Sequence, residues 1–219
     1  MERVAIVFGS TGLVGNLLVE ELVRSGKYSS VKTFVRQPTG VSESMVEEIV
    51  ADLSDPANYS SGIKGDDLFI CIGTTIRKAG SVSNMEKIDR DLPIEIARAA
   101  SASNVKRVAV VSSIGASASS SNYYLRIKGE MEQGILSLPF DRTVIVRPSM
   151  LLGDRKERRA GEFVGKVVMK AVGPVMFGKL ARFRAIHGGD VAKAMISLLA
   201  DGSGSRIVES DELKKIAAL

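Results

Sequence analysis

Short β-branched apolar runs alternate along this chain with stretches in which apolar residues recur every three or four positions. The run at residues 3–8 predicts a strand. Leu13, Leu17, Leu18 and Leu22 predict a helix over residues 13–25. Gly26 falls where a helix commonly ends in a left-handed residue. Further runs predict strands at 31–36, 46–51, 67–72, 107–111 and 143–146, with helices over 89–103 and 122–136. Asp91 is the expected N-cap of the first of these helices, and Pro93 lies in its first turn. Residues 114–122, rich in Ser, Ala and Gly, read as a loop. Regular alternation of strand and helix predicts the α/β class, a doubly wound parallel sheet with crossover helices.

Beyond Gly153 the pattern loosens. A helix is expected at 160–173, a short strand at Ala185-Ile186, and a helix to Leu199 with Asp190 as its N-cap. A strand at 206–208 and a terminal helix capped within Ser210-Asp211-Glu212 complete the chain. No internal repeat or long linker divides it. The expectation is one domain over residues 1–219, with about 155–219 forming a small C-terminal lobe on the substrate side.

A chain of 219 residues suits a single open sheet, and 45% hydrophobic with 25% charged residues is an ordinary globular mix. No apolar stretch approaches the ~18 residues of a membrane span. Met1-Glu2-Arg3 runs straight into a strand pattern without the features of a signal peptide. Cys71 is the one cysteine and lies in the apolar run Leu68-Phe69-Ile70-Cys71-Ile72, so it is expected in the core and in no internal disulfide. A cytoplasmic location follows as the expectation. The formal net charge of +5 is concentrated in the C-terminal third. Without interleaved aromatics it reads as a solvated face and sites for an anionic cofactor, not as a nucleic-acid surface. A single histidine and a single cysteine, far apart in sequence, leave no metal site to expect.

Two segments carry candidate chemistry. The first is the turn Gly9-Ser10-Thr11-Gly12-Leu13-Val14-Gly15 at the end of the first strand. A glycine there lets the strand turn sharply, a second admits a pyrophosphate to backbone N–H groups, and a third packs the helix on the sheet. The helix N-terminus adds partial positive charge. Arg36 closes the second strand 21 residues after Gly15, where a carboxylate would select NAD, and residues 31–42 contain no carboxylate. A guanidinium suits the 2′-phosphate of NADP. Asp52, after the third strand, is placed either to accept from the adenine amino group or to cap a turn. Ile72 and Gly73, after the fourth, are expected to line the cofactor channel.

The second segment is Tyr124-Leu125-Arg126-Ile127-Lys128. Four residues apart on a helix, the phenol and the ammonium share a face. Hydride transfer to a carbonyl needs a proton donor, and a neighbouring ammonium stabilises the phenolate of a tyrosine that acts as one. The lysine also suits the nicotinamide ribose. Ser112 and Ser113, after the fifth strand, both offer a hydroxyl for the substrate oxygen. His187 is the only histidine and is expected to bond nearby backbone.

With these residues go Lys87-Ile88-Asp89-Arg90-Asp91-Leu92, Val111-Ser112-Ser113-Ile114-Gly115-Ala116, Gly129-Glu130 and the stretch from Phe140 through Arg147-Pro148 to Gly153-Asp154-Arg155. In them the chain resembles an atypical short-chain dehydrogenase/reductase. It is most similar to the Tat-interacting-protein-like NADPH-binding oxidoreductases and to bacterial relatives labelled sugar-nucleotide epimerase-like. The resemblance implies a Rossmann-type fold, NADP(H), and a serine–tyrosine–lysine site acting on a small carbonyl or hydroxyl substrate. By family pattern Gly9, Ser10, Thr11, Gly12, Leu13 and Val14 hold the pyrophosphate and Arg36 the 2′-phosphate. Ile72 and Gly73 flank the adenosine half, while Arg147 and Arg155 approach the nicotinamide. The same pattern favours Ser112 over Ser113. Gln37 departs from it, since relatives often carry a second basic residue there. Two other functions stay open: an NADPH-binding sensor that presents a surface to a protein partner or a second copy, and a sugar-nucleotide epimerase, for which about seventy residues after Pro148 leave little room.

Overall fold

The computed structural model describes residues 3–153 and 178–219. Among these, seven strands form one parallel sheet: β1 (Arg3–Phe8), β2 (Tyr28–Val35), β3 (Val46–Val50), β4 (Asp67–Ile70), β5 (Arg107–Val111), β6 (Arg142–Arg147) and β9 (Gly204–Glu209), in the order β3-β2-β1-β4-β5-β6-β9. The two remaining strands, β7 (Leu151–Leu152) and β8 (Ile186–His187), pair as a separate parallel ribbon. This is the Rossmann-type doubly wound sheet expected from the alternating pattern.

Alternation along each strand builds two cores. Ala5, Val7, Phe69, Ala109, Val144 and Val146 face one layer. Helices α1 (Leu13–Arg24), α6 (Gly188–Ala200) and α7 (Ser210–Ala217) supply Leu18, Leu22, Met195, Leu199 and Leu213 to it. Ile6, Phe8, Leu68, Ile70, Val108, Val110 and Ile145 face the other layer, built from α4 (Leu92–Ala102) and α5 (Tyr123–Leu136). Between β4 and α4 lie the short helices α2 (Ile76–Ala79) and α3 (Val82–Glu86), followed by a wide π turn, Lys87–Asp91.

Local expectations and structure differ at several points. Helical backbone begins at Val82, not 89, and Ser81 is the cap, accepting from the Asn84 N–H. Asp91 is not an N-cap: it has helical backbone angles and its carboxylate pairs with Arg90 at 2.7 Å. The π turn precedes Pro93, which lacks an N–H and whose ring would press on the Asp89 carbonyl in a regular helix. Asp190 is not a cap either, because α6 starts at Gly188 and Asp190 lies in its first turn. Ser210 is the first residue of α7 instead of its cap; its hydroxyl donates to Ser149 Oγ at 2.9 Å. Cys71 lies just beyond β4; the residue is partly exposed, but it packs against the first core and its thiol is shielded from solvent. Gly26 does take the left-handed conformation, with φ of 61°. Of residues 155–219, α6 packs on α1 and β9 extends the main sheet beside β6. The helix expected at 160–173 lies outside the described residues.

Candidate functional site

In this strand order the chain reverses direction across the sheet between β1 and β4, and ligands of open α/β sheets bind in the crevice beyond the strand ends at such a point. The glycine turn leaves β1 there. Gly9 has φ of 85°, and a side chain on it would meet the Cys71 carbonyl at 2.7 Å. A Cβ on Gly15 would lie 2.1 Å from the Gly9 oxygen, so the first turn of α1 is held against the loop. The Gly12 N–H donates to the Gly9 carbonyl at 3.1 Å. No side chain caps α1 and its first turn holds no acidic residue. Its free N–H groups and dipole are therefore open to an anion. Gly12 and Thr11 are exposed at this end, and Ser10 is partly so. Gly153 and Gly188 pack against Leu13, which brings the β7–β8 ribbon beside the same helix end. His187 caps α6 by position only. It is exposed and makes no capping hydrogen bond, contrary to its expected role.

Helix α5 forms where Asn122 accepts the Leu125 N–H at 3.1 Å. Gly129 lets the helix approach the serine loop, since a Cβ there would sit 2.2 Å from the Ala118 nitrogen. The buried face of α5 runs Ile127, Lys128, Met131, Glu132, Ile135. Two charged residues thus occupy a core stripe, one turn apart. Lys128 Nζ lies 3.0 Å from Asp89 Oδ1, with the side chains 3% and 1% exposed. Asp89 Oδ2 accepts the Thr74 N–H at 2.9 Å. Gly73 lies directly over the pair: a Cβ on it would be 3.3 Å from Asp89 Oδ1 and 3.9 Å from Lys128 Nζ. Tyr124, one turn earlier, is half-buried against Ala79, Met85 and Ile127. Ser112 is 5% exposed just past β5, its N–H bonded to the Val146 carbonyl at 2.8 Å. The Ser112 hydroxyl is buried and has no hydrogen-bond partner among the described residues. A buried hydroxyl left unpaired costs free energy that a ligand oxygen would recover. Ser113 is partly exposed.

The remaining sequence candidates are placed differently. Arg36 is exposed at the end of β2 beside Gln37. The exposed Asp52 carboxylate accepts the Ser54 N–H at 2.9 Å, and that bond lowers its pKa, so it closes a turn. Arg147 is turned to α5, where its Nε donates to Glu132 Oε1 at 2.9 Å and its Nη2 to the other oxygen. Glu132 is 3% exposed and Arg147 is thereby committed to this buried carboxylate. Arg155 lies outside the described residues. Asp89 and Glu132 were missed as site residues. For Glu132 the signal was charge on an otherwise apolar helix face, visible only once Lys128 and Glu132 are aligned with Ile127, Met131 and Ile135; Asp89, in the charged stretch Lys87–Asp91, carried no such signal.

A parallel sheet with a glycine turn at its point of reversal defines an NAD(P)-binding fold. A family model described as NAD(P)H-binding matches residues 9–202. The mitochondrial protein FMP52 of Eremothecium gossypii is 34% identical over 219 residues, covering 95% of each chain. HTATIP2 of Rattus norvegicus is 34% identical over 207 residues, covering 90% of this chain and 82% of its own. The structure of MoeE5 in complex with UDP-glucose and NAD superposes with a TM-score of 0.70 at 18% identity, covering 98% of this chain and 80% of that one. The chain belongs to the NAD(P)H-binding family and, within it, to the atypical short-chain dehydrogenases/reductases of the HTATIP2 type. The cytoplasmic expectation is overturned, because the fungal relatives are named mitochondrial. The inference failed because a location was read from the first residues and one cysteine. Among the described residues, no helix is long and apolar enough to cross a membrane.

Proposed function

We propose that the protein is an NADP(H)-dependent oxidoreductase acting on a carbonyl or hydroxyl carbon through Ser112, Tyr124 and Lys128. The buried hydroxyl of Ser112 carries this reading: among the described residues it has no hydrogen-bond partner, and a substrate oxygen would supply one. The residues fit the cofactor. The first turn of α1, with Gly9 to Val14, would take the pyrophosphate, and Arg36 would take a 2′-phosphate. Ile72 and Gly73 border the same crevice. Bound NADPH supplies a hydride. Tyr124 supplies the proton from its phenol, Ser112 donates a hydrogen bond to the substrate oxygen, and Lys128 holds the nicotinamide ribose.

The test is NADPH consumption over a panel of aldehydes, ketones and nucleotide sugars. Tyr124→Phe is expected to lower kcat by about two orders of magnitude or more while NADPH affinity stays unchanged. Wild-type turnover by that variant would overturn the assignment. Arg36→Ala is expected to weaken NADPH more than NADH, and an unchanged ratio would remove the NADP preference. A second reading, an NADPH-binding sensor with slow turnover, is favoured by the Asp89 carboxylate, which offsets the ammonium that would promote the phenol. Tight NADPH binding without consumption across the panel supports it.

A further inference from the structure

Half-exposed apolar side chains are ordinary when scattered singly, but two of them stand on one surface beside Tyr124. Helix α2 leaves the turn that follows β4, where the Thr75 hydroxyl accepts the Lys78 N–H at 3.3 Å. Ala79 from α2 and Met85 from α3 are buried together with Ile127 of α5, and Tyr123 and Tyr124 pack against the three. Ile76 precedes Ala79 by three residues and Val82 precedes Met85 by three, so each shares a helix face with a member of that cluster. Yet Ile76 is 50% exposed and Val82 49%. Two hydrogen bonds hold the surface together. The Tyr123 hydroxyl donates to the Val82 carbonyl at 3.1 Å, and Asn84 Nδ2 donates to the Ala79 carbonyl at 3.0 Å. Arg77 and Lys78 fall on the remaining faces of α2 and are exposed.

We propose that the substrate is an apolar carbonyl compound, an aldehyde or ketone bearing an alkyl chain, and that this chain lies against Ile76 and Val82. The proposal deepens the reading of Tyr124 as proton donor and rests on it. Ligand sites are lined mainly by apolar side chains, with a few polar groups that fix orientation. Here the Ser112 hydroxyl and the Tyr124 phenol would meet the carbonyl oxygen, and the apolar surface continues outward from the same tyrosine. The carbonyl carbon gains the hydride of NADPH and its oxygen gains the Tyr124 proton, leaving an alcohol and NADP⁺; the phenolate recovers its proton from solvent. A nucleotide sugar would set hydroxyls and a diphosphate against Ile76, Ala79, Val82 and Met85, whose side chains offer them no hydrogen bond.

Two readouts test this. With NADPH, kcat/KM is measured for straight-chain aldehydes from propanal to octanal and for nucleotide sugars. Calorimetry measures the binding of N-alkylformamides of matching length, used as unreactive carbonyl analogues, to the NADPH-saturated protein. Both quantities are expected to rise about three-fold for each added methylene that the surface covers. Ile76→Asn combined with Val82→Asn is expected to flatten both slopes to less than about 1.5-fold per methylene, whereas Arg77→Gln leaves them unchanged. Aldehyde reduction without dependence on chain length, a higher kcat/KM for nucleotide sugars, slopes that survive the double substitution, or slopes lost equally in Arg77→Gln would overturn the proposal and leave Tyr124 as proton donor intact. Length-dependent formamide binding with no aldehyde reduced would instead overturn the catalytic reading, while the surface stands as the binding site of an apolar carbonyl compound. Absence of both binding and reduction would overturn both. The wild-type series needs no variant, and the two substitutions fall at half-exposed positions, where polar side chains are tolerated.

Discussion

Asp67 opens β4 with no exposed surface, yet its carboxylate meets three partners. Arg3 Nη2 lies at 2.8 Å, Arg107 Nε at 2.5 Å, and the Tyr28 hydroxyl donates at 2.6 Å. They come from β1, β5 and β2, so one residue ties four adjacent strands at the end of the sheet opposite the crevice. Removing a partner from such a site leaves charges that were arranged around it uncompensated. Asp67→Ala is expected to destabilise the fold by about 3 kcal/mol, read from urea unfolding, without altering NADPH affinity. A change below about 1 kcal/mol would show that solvent screens the partly exposed guanidinium groups. Asp67 and Asp89 are both buried aspartates, the first at the head of an apolar strand and the second in a run of alternating charge. Neither setting reveals by itself which partners the carboxylate meets.

Helix α1 and the turn before it were legible at the level of the element. A glycine at each of three positions is a local requirement, and the structure shows two of its reasons, the positive φ at Gly9 and the contact of Gly15 with the Gly9 carbonyl. Gly15→Ala forces its Cβ into backbone that cannot yield cheaply. It is expected to cost about 1–3 kcal/mol of stability and to weaken NADPH at least about ten-fold, seen by thermal melting and fluorescence titration. The second half of the site was less legible. The Tyr124–Lys128 spacing was plain on α5, but the helix before α4 was read seven residues late. Its early turns are short and carry their own caps, Thr75 and Ser81, so they lack the sustained apolar period on which the reading depended. The missed residues, 82–88, include the start of the π turn that delivers Asp89.

On the scale of the whole molecule, the buried acids set a limit at high pH. Desolvation pushes the Cys71 thiol up to about 12 from 9.0. Burial, with the charges of Glu95 and Asp55, pushes the Tyr59 phenol up to about 12 from 10.0. Tyr28 is raised too, by burial first and then by Asp67. The folded protein keeps these protons where the unfolded chain loses them. The sign follows: this stability is fully present below about pH 9 and falls as pH rises towards 12, by about 1.4 kcal/mol per unit for each group that differs. Melting temperature measured from about pH 8 to about pH 11 should therefore drop steeply, and a flat profile would contradict the burial of these groups. The same burial should keep the Cys71 thiol slow towards thiol reagents in the folded state.

Period and spacing by themselves determined the strands of the main sheet, the parallel class, the glycine turn and the shared face of Tyr124 and Lys128, because each depends on residues within a few positions of one another; the short β7 they did not. Tertiary structure alone decided which charges meet. It paired Lys128 with Asp89, 39 residues away, turned Arg147 to Glu132, and left the Ser112 hydroxyl without a hydrogen-bond partner among the described residues. It also drew β9 into the main sheet. Ion pairing and desolvation depend on distances through space, and those exist only after the two cores have closed on the sheet.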